Sequence, residues 1–587
     1  MEISAENLKF CIQFDESSDW KLNTATEKTA SGVEFLHIVL HTEKPSVPPK
    51  TEIKWEIPNL DIQTRWSPVI NFNKNIPADW SSSLTSNLAS SAPVMAFLNL
   101  HGENRMTFAV SEAMRPVQFA GGVNEERNQI ICKVILFSQP DSPLSEYKTT
   151  IRIDRRNIYF ADSIRDVTEW FAGFEEYTPS DVPAQALKPI YSTWYSYHQN
   201  LFDKELEAEC ALASAAGLSG IIVDDGWQTD DNNRGYAFCG DWKIAERRFP
   251  DMKAHVKKIH DFGMKYLLWY SVPFMGYKSE NYQRFKGKYL FDFDRMQASV
   301  LDPRFPEVRE YLVNIYETAI REWDLDGFKL DFIDSFRFDG IDPAIAEDYA
   351  GRDIKSLPLA VNRLLSDVME RLKMIKPEIL IEFRQSYIGP AIRKYGNIFR
   401  AADCPADILA NRVRIIDLRL FSGNTAVHSD MLEWNMEETA ETAALQILNV
   451  IFSVPQISIR FGELPENHRK MLGFWLDFTQ QHKEVLLKGK FMPYHPEANY
   501  PVVSAENEQE KVIAVYQSGV AVNAATDTGQ LFIINAGNDS EMILDFVKAP
   551  SEVVIFNTFG EAVNTPVFQQ GLNKVTVPRS GLVQVKF

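Results

Sequence analysis

Cysteine is scarce: the 587 residues hold five, Cys11, Cys132, Cys210, Cys239 and Cys404, odd in number, far apart and without a C-x-x-C spacing. That excludes a disulfide framework and a four-cysteine zinc site, and it suits a reducing compartment. Positive charge is in deficit too. There are 61 Lys and Arg against 80 Asp and Glu, a formal net charge of −19. A general nucleic-acid binder needs a basic face to displace counterions, so that class is excluded. No run of about 18 apolar residues occurs, and Met1-Glu2-Ile3-Ser4-Ala5-Glu6 has neither the basic region nor the apolar stretch of a secretory signal. The expectation is a cytoplasmic protein with no membrane or nucleic-acid partner. His198, His255, His260 and His428 lack the i, i+4 pairing and carboxylate spacing of ligand sets, so neither a metal nor another cofactor is expected.

Aromatic side chains are plentiful, 12% of the chain, and suit either large cores or sugar-facing walls. Hydrophobic residues at 45% and charged ones at 24% are ordinary for a globular protein, and a domain size of about 150 residues predicts three or four domains. Up to about residue 182, short β-branched and aromatic runs at 35–41, 94–100, 107–110, 130–137 and 149–153 alternate with turn clusters, the rhythm of a β-sandwich. From residue 190 strand-length apolar segments alternate with stretches of helical period. The strands are expected at 190–197, 220–225, 265–272, 327–332, 379–383, 398–403, 425–429 and 456–460, with helices at 306–322, 358–375, 406–421, 437–452 and 466–480. Eight β-then-α units are the count of a TIM barrel, a doubly wound sheet being the alternative. After residue 488 the period returns to two. The fold class is therefore α/β: an N-terminal β-sandwich over 1–185, a (β/α)8 catalytic barrel over 186–485 and a small C-terminal β-sandwich over 486–587.

Barrel enzymes carry their chemistry at the C-terminal ends of the strands. Those ends are rich in carboxylates and tryptophans: Trp194, Asp224-Asp225-Gly226-Trp227, Trp269, Lys329-Leu330-Asp331 and Arg400-Ala401-Ala402-Asp403. Taken singly, a Lys-x-Asp is more often a structural ion pair, an Asp-Asp-Gly a turn and a tryptophan core. Accumulated at one rim, they point to a site. Carboxylates accept hydrogen bonds from vicinal hydroxyls and indoles stack on pyranose faces, so the ligand class is a sugar. Hydrolysing a glycoside needs two carboxyl groups flanking the anomeric carbon. Asp331 and Asp403 are the best pair, on strands two apart. Lys329 shares a strand face with Asp331 and would keep it ionised, whereas Asp403 needs a raised pKa to arrive protonated.

These residues resemble glycoside hydrolase family 36, the retaining alpha-galactosidases and their relatives, from about residue 190 to 461. The stretch Gly220-Ile221-Ile222-Val223-Asp224-Asp225-Gly226-Trp227, with Gly240-Asp241-Trp242 and Arg248-Phe249-Pro250 after it, is similar to the motif whose two acids bind the 4- and 6-hydroxyls. Lys329-Leu330-Asp331 resembles the Lys-x-Asp motif, implying Asp331 as nucleophile and Lys329 as a sugar contact. Arg400-Ala401-Ala402-Asp403-Cys404-Pro405-Ala406-Asp407 stands where the family carries its acid/base, implying Asp403, with Asp407 its nearest competitor. Arg295 occupies the place of a sugar-contacting arginine. Strand 5 departs from the pattern: Glu382-Phe383-Arg384-Gln385-Ser386-Tyr387 replaces a Cys and a glycine-rich run near the sugar's 2-substituent, so either Arg384 or Gln385 contacts the 2-position differently or a bulky or charged substituent is accommodated there.

The resemblance implies a retaining exo-acting alpha-galactosidase without cofactor, acting on an oligosaccharide or glycoside, with Trp194, Trp227 and Trp269 shaping the pocket, and a homo-oligomer, as in many members. The alternatives are an alpha-N-acetylgalactosaminidase or alpha-glucosidase, a Schiff-base lyase using Lys329, and a non-catalytic carbohydrate-binding protein.

Overall fold

The computed structural model describes every residue except Glu6, Asn7, Glu16, Ser17 and Asp339. The chain opens with two six-stranded antiparallel sheets. Their strands alternate as half-buried sheets must: along Thr51–Pro58 every second side chain is buried. Leu36, Ile38 and Leu40 of one sheet meet Ile53, Trp55 and Ile57 of the other. The all-strand expectation up to residue 182 needs one correction. Phe160–Ala172 is a helix, because Phe160, Ile164, Val167 and Phe171 recur at three- and four-residue steps and form one buried stripe.

Eight parallel strands follow: β1 Ile190–Ser192, β2 Gly220–Val223, β3 Lys265–Ser271, β4 Gly327–Asp331, β5 Leu380–Arg384, β6 Ile398–Arg400, β7 Ala426–His428 and β8 Gln456–Ile457. They run in the order β7-β6-β5-β4-β3-β2-β1-β8, and a parallel bridge between His428 and Val454 nearly closes the barrel. Several end earlier than expected. β1 stops at Ser192 because the chain turns into a short helix, Trp194–Tyr197, at the barrel mouth. Gly327 opens β4 where a Cβ would come 2.1 Å from the Leu380 carbonyl oxygen, so only glycine fits there.

The outer helices follow the apolar period. Pro306–Trp323 starts on a proline that suits the first turn and buries Val308, Leu312, Val313, Tyr316, Ala319 and Ile320. Removing Leu312 to Ala would cost about 2–5 kcal/mol. Leu357–Ile375, Ile408–Phe421 and Glu466–Gln481 behave likewise, and no described helix is long and apolar enough to cross a membrane.

A seven-stranded and a three-stranded sheet complete the chain. The three parts meet at Asp417, buried on the helix Ile408–Phe421. It accepts hydrogen bonds from Trp66 Nε1 at 2.9 Å, Lys74 Nζ at 3.3 Å and Tyr500 Oη at 2.6 Å.

Candidate active site

Asp331 is the last residue of β4 and is 7% exposed at the barrel mouth. Its Oδ1 accepts three hydrogen bonds, from Arg384 Nε at 2.7 Å, Tyr387 Oη at 2.7 Å and the backbone N–H of Phe332 at 2.8 Å. Oδ2 accepts one, from Trp269 Nε1 at 3.1 Å. Burial pushes the carboxyl up, but the charges of Arg384 and Lys329 and the Tyr387 and Trp269 bonds outweigh it and hold Asp331 well below the usual carboxylate range. Phe332 sits at φ 62°, a left-handed conformation costly for a side chain with a Cβ, and this turns its N–H back onto the carboxylate. The two oxygens are thus unequal: Oδ1 is saturated, and Oδ2 keeps a free lone pair.

Lys329, two residues earlier on the same strand face, is bonded to Asp224 Oδ2 at 2.6 Å. Burial pulls its proton affinity down, and Asp224 leads the charges that raise it overall, so the amine is held as an ammonium. Asp225 is fixed on both oxygens, by Gln199 Nε2 at 2.6 Å and Gln228 Nε2 at 2.7 Å. Burial pushes it up to about 6 against those two bonds, and the Asp224 and Asp331 charges push the same way.

Two strands on, Asp403 follows β6 with its side chain 53% exposed, and its Oδ1 accepts from Arg400 Nη2 at 2.9 Å. Arg400 is fully buried and shared. It also pairs with Asp430 and, through Nε at 3.4 Å, with Glu382. Tyr195 Oη donates to Asp430 at 2.8 Å, and Gln456 Nε2 to Glu382 at 2.5 Å. Burial raises both Asp430 and Glu382, with Arg400 opposing it. Asp403 goes the other way, which corrects the expectation of a raised pKa: burial and the nearby Asp331 charge push it up, but Arg400 and Lys329 prevail and lower it.

Several other expected residues sit elsewhere. Trp227 is fully buried against Trp242, Tyr270 and Trp323, and its Nε1 donates to the Trp269 carbonyl at 2.9 Å, so it is core and not pocket wall. The turn Asp224-Asp225-Gly226 swings it inward. Arg295 is exposed in a hairpin between β3 and β4 and makes no hydrogen bond or ion pair with these carboxylates among the described residues. Asp407 caps the helix Ile408–Phe421, accepting from Ala410 N at 2.9 Å, which gives it a structural task. Arg384 donates to Asp331, with its guanidinium 5.3 Å from the rings of Phe332 and Tyr387. Gln385 Oε1 accepts from Ala402 N at 3.0 Å. Trp269 orients Asp331 directly, and Trp194 is half-buried at the mouth with its ring 5.0 Å from His198. Sequence reasoning missed Tyr387, Gln199, Gln228 and Asp430. Only Tyr387 carried a signal, at the end of the unusual strand-5 segment. Among the described residues no group of three or more His, Cys, Asp and Glu is arranged to hold a metal.

An eight-stranded barrel whose mouth gathers an ionised, donor-clamped aspartate, a Lys–Asp pair and a second, arginine-bound aspartate has the layout of a glycosidase barrel. Comparison with known proteins gives the particular resemblance. A family model described as Melibiase matches residues 181–387, which takes in Asp224, Asp225, Lys329, Asp331 and Tyr387 but stops before Asp403. An alpha-galactosidase of Lactobacillus acidophilus is 27% identical over 156 residues, 25% of this chain and 20% of that protein. An A type blood alpha-D-galactosamine galactosaminidase of Flavonifractor plautii is 26% identical over 176 residues, 26% of this chain and 15% of its own length. The sequence matches thus span a fifth or less of these curated relatives. The fold likeness is wider. The glycoside hydrolase family 36 alpha-galactosidase AgaA of Geobacillus stearothermophilus, solved with raffinose, superposes with TM-score 0.63 at 13% identity, covering 99% of this chain and 87% of that one. Together these support the resemblance to glycoside hydrolase family 36, in sequence over the first part of the barrel and in fold over nearly the whole chain.

Proposed function

We propose that the protein is a retaining, exo-acting alpha-glycosidase, with a terminal alpha-galactosyl residue as its substrate. The observation that carries this reading is the unequal Asp331 carboxylate. It is locked ionised by three donors on Oδ1, while Oδ2, with a single bond to Trp269, is left to attack the anomeric carbon. Asp403 is the proton donor to the leaving oxygen. In the free protein Arg400 and Lys329 hold its half-exposed side chain ionised, so a sugar that buries it must raise its proton affinity before it can donate, and that affinity also responds to Asp331. Esterification of Asp331 removes a negative charge and so lowers the proton affinity of Asp403 further. That is the direction needed for Asp403 to turn from acid to base and activate the water that releases the sugar. Two displacements at one carbon preserve the anomer.

Asp224, Asp225 and Lys329 hold the sugar hydroxyls in this reading. The Schiff-base alternative meets a specific obstacle, because Lys329 is kept protonated by Asp224 at 2.6 Å and a protonated amine is no nucleophile. Arg384 and Tyr387 stand on Asp331 where a sugar 2-substituent would approach, so the 2-position is the point of specificity.

The test is turnover of nitrophenyl alpha-galactoside beside the alpha-N-acetylgalactosaminide and the alpha-glucoside, with Asp331→Asn as blank. Release from the galactoside alone, abolished in the variant, is expected. Release from the acetylated sugar alone transfers the reading to its nearest alternative, and saturable sugar binding without turnover of any of the three contradicts the enzyme.

A further inference from the structure

A second cleft, of about 910 Å³, opens at the end of the barrel opposite the carboxylates. Leu187, ahead of β1, and Thr425, ahead of β7, place it at the N-terminal ends of the strands, while Ala161 of the helix Phe160–Ala172 and Phe491 after the barrel close its sides. None of the residues that carry the proposed glycosidase chemistry lines it.

Two arginines distinguish it. Among the described residues seven arginines are buried to 8% exposure or less, and six of them pair with a carboxylate, as Arg304 does with Asp302 at 2.9 Å. Arg393, 3% exposed and lining the cleft, is the exception among the described residues. Its Nε donates to Thr425 Oγ1 and its Nη2 to Asn424 Oδ1, both at 3.1 Å and both neutral, and Nη1 has no protein acceptor among the described residues. Arg419, half-buried in the same cleft, gives Nη1 to the carbonyls of Phe452 at 2.5 Å and Leu486 at 2.7 Å. It rests 4.7 Å from the Phe491 ring, and its Nε and Nη2 bond to no described residue. Burial, with no carboxylate bonded to either among the described residues, pushes both guanidinium groups down to about 10. An uncompensated buried cation such as Arg393 is costly, and with a second, half-buried guanidinium in the same cleft it calls for an anion. The wider lining agrees. Five basic side chains against three acidic ones leave the cleft at +2 in a molecule of −19.

We propose that this cleft binds a small phosphate-type oxyanion between Arg393 and Arg419, apart from the carboxylate mouth. The forked donors of arginine match the oxygens of a phosphate, and the volume leaves room for the organic part of a phosphate monoester. The anion reaches the site either free or on a small phosphorylated molecule, the chemistry of recognition being the same.

The test is calorimetric titration of the full chain with inorganic phosphate and with a hexose monophosphate, at ionic strength fixed with chloride, on wild type, Arg393→Gln and Arg419→Gln. Saturable binding to wild type, at least tenfold weaker in either variant, is expected. Tighter binding of the ester than of phosphate identifies a metabolite as the ligand, and equal binding identifies the free anion. Melting curves separate the site from mere capping of carbonyls. Phosphate should raise the melting temperature of wild type and leave both variants unmoved, and in phosphate-free buffer Arg393→Gln should melt no lower than wild type, because a buried charge has gone. If Arg393→Gln does not fold, Arg419→Gln carries the same comparison. No saturable phosphate binding by wild type, or binding undiminished in Arg419→Gln, overturns the proposal.

Discussion

Asp331 and Asp403 are the same residue type at the same rim of one barrel, and their surroundings differ in every respect that matters to a carboxyl group. Asp331 is 7% exposed and receives four hydrogen bonds, whereas Asp403 has a side chain 53% exposed and shares one guanidinium with Asp430 and Glu382. The first arrangement fixes charge and orientation, as a nucleophile requires. The second leaves the carboxyl free to meet a leaving group and tunes it through a cation whose charge is divided three ways. The proposed roles therefore follow from environment and not from residue type.

The sharpest way to break this contrast is to remove the proposed nucleophile. Asp331→Gly should lose at least about 10⁴-fold in turnover, and azide should restore part of it by attacking the opened face, giving the beta-glycosyl azide. Near wild-type turnover would remove Asp331 from the mechanism. Next in size is the proposed acid. Asp403→Ala should slow substrates with poor leaving groups by about 10²–10⁴-fold and nitrophenyl glycosides far less, read as a steep dependence of rate on leaving-group pKa. Equal losses across the series would point to another acid.

Smaller effects sharpen the electrostatics. Arg400→Gln takes away the cation that lowers Asp403, so the alkaline limb of kcat/KM should move to higher pH, and an unmoved limb would separate Arg400 from the acid. Tyr387→Phe removes one donor from Oδ1 of Asp331, so the acidic limb should move to higher pH while kcat falls by less than about tenfold. The smallest effect is on stability. Asp225 is held at about 6 in the fold, above its ordinary value of 3.8. The stability linked to its proton is full below pH 3.8 and lost as pH rises through 6. Asp225→Asn removes that proton linkage, so the stability difference between variant and wild type should shift in the variant's favour by about 1–3 kcal/mol between pH 3.5 and pH 8 in denaturant titrations.

Much of this is legible in the amino-acid sequence. The eight strands announce themselves because each apolar run is bounded by turn residues, and their ends collect Asp224, Lys329, Asp331 and Asp403 because chemistry concentrates where strands stop. Strand lengths were overread at β1 and β6, where the chain leaves the sheet early to build the mouth. The helix Phe160–Ala172 was legible in its stripe of Phe160, Ile164, Val167 and Phe171 and was hidden only by the β-rich stretch before it. Trp227 misled because its strand-end position says nothing about the turn that carries the indole back into the core. Gln199, Gln228 and Asp430 were illegible for a related reason: their tasks depend on loops that converge in space from different strands, and no local period encodes that convergence.

Mass spectrometry of the protein after reaction with a fluorinated galactosyl fluoride, which forms the glycosyl-enzyme faster than it releases it, tests the central claim most directly. A single sugar adduct on the peptide containing Asp331, absent in Asp331→Asn, is the predicted result. An adduct on any other carboxylate would contradict the assignment of Asp331, and unlabelled protein that still turns over the galactoside would contradict the covalent mechanism itself.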